Sequence, residues 1–138
     1  LAASAVASLR HLAGLIAFHN DQPQVALDFL TPLYQTSRPQ IAHEIFHYAQ
    51  FLHLLAHSEA GHTALVDHLS LNLRRQLGKD LAPAEGQLLR LIRQLLQAPD
   101  RQSVRELWAA WAAQLPAAND RLSLYLDLPF LAVRKGSS

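Results

Sequence analysis

Six of the eight histidines fall between His43 and His68, and two of them frame the pattern with the most chemistry in it. His43-Glu44-Ile45-Phe46-His47 reads H-E-x-x-H. On a helix, residues four apart project from one face. His43 and His47 could then share a zinc ion while Glu44, as general base, activates a metal-bound water. His53 follows six residues after His47, the spacing of the third ligand in the longer motif H-E-x-x-H-x-x-G-x-x-H. Gln50, however, stands where that motif places the glycine that turns the chain back. A helix continuing through Gln50 carries His53 about 9 Å along the axis from His47, too far to share one ion with bonds of about 2.1 Å. The segment is also rich enough in histidine to produce the motif by chance. The expectation is therefore no catalysis, no cofactor and no metal, with a zinc-dependent metallopeptidase built on His43, Glu44 and His47 as the alternative. His53 and His57 repeat the four-residue spacing, and His62 and His68 follow; such pairs bind transition metals weakly even on unrelated helices. No nucleophile elbow and no phosphate-cradling glycine loop is present, the five glycines being scattered.

A second constellation is spread over three helices. The first, third and fifth helices would present Arg10, His11 and Gly14; His43, His47 and Gln50; and Gly86, Arg90, Arg93 and Gln97. In stacked hairpins these helices line one concave surface, here polar, nearly free of carboxylates and cationic at mildly acidic pH. His43, His47, Gln50, Arg90, Arg93 and Gln97 are the expected binding groove, and its expected partner is an acidic or carboxylate-ended peptide or protein. Trp108 and Trp111, three apart amid alanines, read as packing against neighbouring helices, with a partner-facing hot spot as the alternative. Arg74-Arg75 and Lys79 read as favourable charge at a helix C-terminus.

Composition bounds what can position these groups. The chain has 138 residues, half of them hydrophobic, which suits one self-sufficient core and excludes a disordered chain. The absence of cysteine excludes disulfides, zinc fingers and thiol nucleophiles. Twelve basic against eleven acidic residues leave a net charge of +1, which argues against a dedicated nucleic-acid binder. No apolar run approaches the ~20 residues of a membrane span and no signal peptide is visible, so the expected compartment is the cytoplasm. The chain opens at Leu1 and contains no methionine; it reads as a fragment of a longer protein. Residues 1–135 are expected to form a single domain, with Gly136-Ser137-Ser138 as a tail or cloning scar.

The hydrophobic period is helical throughout, with no strand-like alternation. The punctuation divides the chain into about seven helices: 2–19, 23–35, 40–57, 62–77, 83–97, one starting after Asp100 or Ser103 and ending before Pro116, and one opened by Asn119-Asp120. Asp21 is expected to cap the second helix, which Pro32 should kink or end early. Thr36-Ser37-Arg38-Pro39 is the next break. Leu9, Leu12, Ala13 and Ile16 share one face of the first helix. In the third, Ile41, Ile45, Tyr48, Leu52 and Leu55 form an inward stripe, opposite His43, His47, Gln50, His53 and His57. Gly61 and Gly78 mark helix ends. Pro83 and Glu85 open the fifth helix, in which Leu88, Leu91, Ile92 and Leu95 face inward. Ser103-Val104-Arg105-Glu106 has capping-box spacing. Pro129 predicts a kink near Asp127. Pair starts spaced by roughly 40 residues suggest stacked antiparallel hairpins, an all-α solenoid, with a closed helical bundle as the alternative.

Leu12-Ala13-Gly14-Leu15-Ile16-Ala17, Asp21-Gln22-Pro23 and Ala26-Leu27-Asp28-Phe29-Leu30 together resemble one tetratricopeptide repeat. Gly14 matches the small residue of the first helix, Ala26 the second small position, Leu30 the large apolar residue four further on, and Pro39 the repeat-ending proline. Ala17 stands where tyrosine is usual. The stretch from Glu44 to about Leu95 resembles the C-terminal helical region of tetratricopeptide-repeat proteins of the Bacteroidetes. It does so through Glu44-Ile45-Phe46-His47-Tyr48-Ala49, Leu54 to Gly61, Arg74, Glu85 and Leu89, with Gln50 and Ser58 departing from that pattern. The resemblance implies a bacterial interaction scaffold binding a partner protein, and no catalytic activity.

Overall fold

A computed structural model describes residues 3–35, 43–114, 121–127 and 135. Among these residues the fold is all-α, with no strand: six helices of 13 to 17 residues and a six-residue helix near the C-terminus. The seventh helix is thus much shorter than the others over the described residues. The expected break at Thr36–Pro39, the start of the third helix at Gln40 with Ile41, Pro116, Asn119-Asp120, Pro129 and the tail 136–138 lie outside them. The chain groups into two compact units, Leu1–His62 and Thr63–Ser138.

The first unit holds α1 (Ala3–His19), α2 (Pro23–Gln35) and α3 (His43–Glu59). Here α2 packs against both its neighbours, and α1 also meets α3. The α1–α2 turn corrects the expected role of Asp21. Its backbone is left-handed, with φ 59°. Its N–H bonds the Phe18 carbonyl at 3.1 Å, and the Gln22 N–H reaches back to the Ala17 carbonyl at 3.0 Å. These are the two bonds of a Schellman motif, so Asp21 closes α1 rather than capping α2. Likewise α2 does not end early. It runs through Pro32 to Gln35, where the missing hydrogen bond falls close to the helix end.

The apolar face of α1 is not the buried one, and His11 and Gly14, expected on the concave surface, lie inside. Leu9, Leu12 and Ile16 are exposed, whereas Ala7, His11, Gly14, Ala17 and Phe18 are buried. The reason lies at Gly14. A Cβ built there would come 2.8 Å from Leu30 Cγ and 2.9 Å from Leu30 Cδ2. Two helices this close need small residues at the crossing, and the small residues of α1 lie on the side of Gly14. Ala26 and Leu30 of α2 are fully buried opposite it. Gly14→Ala sets an overpacking cost of about 1–3 kcal/mol against a gain in helix propensity of about 1 kcal/mol. The expected net is a loss of about 1 kcal/mol in urea unfolding. In a Leu30→Ala background the same substitution should turn neutral or stabilising. An unchanged cost there would mean that the two residues do not meet.

The second unit holds α4 (Thr63–Leu77), a 3₁₀ turn (Gly78–Asp80), α5 (Pro83–Gln97), α6 (Arg101–Ala113) and α7 (Arg121–Leu126). Gly78 leaves α4 at φ 51°, and Arg74 and Arg75 fill that helix's last turn. Pro83 begins α5, and the Glu85 carboxylate accepts from the Ala82 N–H at 3.0 Å. Asp100 caps α6, its carboxylate accepting from the Ser103 N–H at 2.8 Å; Ser103 therefore lies inside the helix and does not start it. That bond also holds the Asp100 carboxyl below the usual carboxylate range. In α5, Leu88, Leu89, Leu91 and Ile92 are buried, and it packs on α4 and α6. Trp108 and Trp111 are buried as expected of packing residues, with ring centroids 5.7 Å apart and planes at 85°. The short α7 stops at Leu126, and Asp127 beyond it takes φ 51°.

Candidate functional site

The helix α3 carries four of the eight histidines, and it is buried on more sides than an amphipathic helix should be. Every residue from Ala49 to Ala56 is buried, including Gln50 and His53. The arc expected to face solvent also bears Phe46 and Leu54, and Phe51 lies beside it, so apolar surface surrounds the helix and draws both sides inward. Gln50 is therefore not a solvent-lining residue, and Ile45 and Tyr48, expected inside, are only half-buried. Glu44 and His47 are half-buried too. The His47 ring stands edge-on to Tyr48 and Phe51, with centroid distances of 4.8 and 5.7 Å. His43 heads the helix, and its side chain lies outside the described residues. The helix runs unbroken through Gln50 to Glu59, so His53 continues away from His47 along the axis. Among the described residues no group of three or more histidine, aspartate or glutamate side chains converges as metal ligands do.

The side chains that do come together are His53, His57 and His62. The first two stand one turn apart on α3. The third arrives through the turn that follows. Gly61, at φ 84°, donates to the Ser58 carbonyl at 3.1 Å, and the His62 N–H reaches the His57 carbonyl at 3.1 Å. This is again a Schellman motif, which characteristically brings the second residue past the cap against the third-last residue of the helix. Those positions are usually apolar; here they are His62 and His57. Their Nδ1 atoms lie 2.8 Å apart, and His57 Nε2 lies 3.2 Å from His53 Nε2. The three rings thus form a chain from a buried end to an exposed one. A neutral imidazole has one N–H and one lone pair, so His57 donates to one neighbour and accepts from the other. Burial lowers the His53 pKa to about 4, with the neighbouring His57 pushing the same way. Burial, and then His62, lowers that of His57. The i, i+4 pair was legible in the sequence. The third member was not singled out; the available signal was a histidine immediately after Gly61 and five residues after His57.

The other half of the expected groove sits on α5 in the second unit. Arg90, Arg93 and Gln97 are exposed there, as the helical wheel requires. Arg93 and Gln97 border an open cleft of about 490 Å³ against the first turns of α4, with Thr63, Ala64, Asp67 and Leu96. Asp67 places a carboxylate in a surface expected to be nearly free of them. Arg90 borders a second cleft of about 240 Å³ between α5 and α6. Its polar lining is Gln87, Gln94 and Gln114, its apolar lining Leu91, Leu107, Ala110 and Trp111, and among the described residues no carboxylate lines it. No family model, curated protein or solved structure matches the chain. No helix among the described residues is long and apolar enough to cross a membrane.

Proposed function

We propose that this chain is a non-catalytic, tetratricopeptide-like helical scaffold that binds a partner protein or peptide. The observation that carries the reading is the outer face of α5, where Arg90, Arg93 and Gln97 are exposed beside two clefts. A guanidinium is a fork of donors suited to a carboxylate, and the Arg90 cleft adds amides for a peptide backbone and an apolar wall for a side chain. The partner is an acidic or carboxylate-ended peptide. The close approach of Gly14 to Leu30 beside the buried Ala26 supports the repeat-like hairpin, and in this reading further hairpins stack on it as a solenoid.

The test is a fluorescence-anisotropy titration with a short acidic peptide ending in a free carboxylate. Binding should be saturable and weaken with salt. Arg90→Glu and Arg93→Glu should each reduce affinity at least about tenfold, the gain or loss of roughly one charge-assisted contact, with melting temperatures within a few degrees of the parent. Unchanged affinity in both variants would remove α5 from the binding surface. The zinc-hydrolase reading, with Glu44 as base between His43 and His47, predicts instead a zinc-dependent activity that Glu44→Gln abolishes.

A further inference from the structure

The chain of three imidazoles has a use that the scaffold reading does not supply. We propose that His53 and His57 are the two protein ligands of a site for a late first-row divalent cation, with His62 holding His57 in the tautomer that the metal needs.

Three observations carry this. The first is the spacing. The Nε2 atoms of His53 and His57 are 3.2 Å apart. Two nitrogens bound tetrahedrally at about 2.0–2.1 Å from one ion stand about 3.3–3.4 Å apart, so a few tenths of an ångström convert the pair into a chelate. The second is the support behind the ligand. A histidine bound to metal through Nε2 carries its proton on Nδ1 and donates it to a neighbouring acceptor. His57 Nδ1 already faces such an acceptor, His62 Nδ1, at 2.8 Å. The Schellman turn at Gly61 fixes that neighbour by backbone bonds, independently of any metal. The third is access. His57 is half-buried and His62 exposed, so an ion can enter from the solvent side while His53 anchors the inner end.

The donor set also selects the ion. Two neutral imidazoles suit copper(II), nickel(II) and zinc(II) and leave positions for water. Affinity should therefore follow the usual order, copper(II) above nickel(II) and zinc(II). Loading sets a direction for the chain. With His57 Nε2 given to the metal, His57 donates to His62, and His62 turns its own N–H outward on Nε2.

Calorimetric titration of the untagged protein with copper(II) and with zinc(II), each alone in a non-coordinating buffer, tests the site. One equivalent should bind, copper(II) more tightly. His57→Ala should lower the affinity by about a hundredfold, because one imidazole of a chelating pair is gone. His53→Ala should do the same, and since His53 is buried, its folded state is checked by helical circular dichroism beside His57→Ala, which leaves the core intact. His62→Ala removes no ligand and should cost about tenfold, within the range for a partner behind a ligand. A His43→Ala/His47→Ala double variant should bind as the parent does. Unchanged affinity in His57→Ala would overturn the proposal, as would a loss confined to the double variant, which would move the ion to the H-E-x-x-H pair. No effect of His62→Ala would remove the supporting role of the turn.

Discussion

Replacing Trp108 by alanine is expected to cost about 3–5 kcal/mol of stability. Trp108 is 1% exposed on α6 and stands edge-to-face with Trp111. Truncation removes the most voluminous of the fully buried side chains and leaves a cavity beneath α6. The loss has three parts: transfer of the indole from water, the residual cavity, and about 0.5–1.5 kcal/mol from the ring pair. Urea unfolding followed by circular dichroism should show the midpoint fall with little change in slope. Trp108→Phe, which keeps an aromatic edge for Trp111, should recover about half. A cost below about 1 kcal/mol for the alanine variant would mean that Trp108 is not part of the packed interior. Such a result would also revive the alternative reading of the two tryptophans as a partner-facing hot spot.

Acidification should destabilise the chain through His53 and His57. The sign follows from where the protons bind. Folded His53 titrates at about 4, against 6.5 for an ordinary histidine, because burial and the adjacent His57 penalise its charged form. Above pH 6.5 it is neutral folded and unfolded, and there is no effect. Below pH 6.5 the unfolded chain takes up a proton that the folded chain refuses, so stability falls as pH falls. The slope disappears below about pH 4, where both forms are protonated. Between pH 7 and pH 5 the loss from His53 alone is about 2 kcal/mol, and over the whole window about 3 kcal/mol. His57 acts in the same direction. Urea midpoints at pH 7 and pH 5 should therefore differ more in the parent than in His53→Gln, which cannot titrate. Equal differences in the two proteins would contradict the buried, neutral state of His53.

The helix boundaries were legible where local chemistry sets them. Pro83 and Glu85 start α5, Asp100 caps α6, and Gly61 and Gly78 end α3 and α4, each through bonds made within a few residues. The faces were legible only where apolar and polar residues divide sharply. In α5 they do, and Arg90, Arg93 and Gln97 lie outside as the wheel requires. In α1 and α3 they do not. α1 offers leucine on one side and alanine and glycine on the other, and close packing against Leu30 selects the small side, against the ranking by hydrophobicity. α3 is apolar on every side, so periodicity gives it no direction and Gln50 and His53 end up buried. Asp21 was misread because aspartate is favoured both as a helix N-cap and, less often, in left-handed turns. The joining of His62 to His57 depends on turn geometry, which residue types alone do not give.

In the proposed function the chain binds an acidic peptide without cutting it. Titrating a carboxylate-ended acidic peptide into zinc-supplemented protein, then weighing the recovered peptide by mass spectrometry, tests both halves together. Saturable, salt-sensitive binding that Arg90→Glu weakens is expected, with the peptide returned at its original mass. Cleaved peptide whose appearance requires Glu44, or no saturable binding at all, would contradict it.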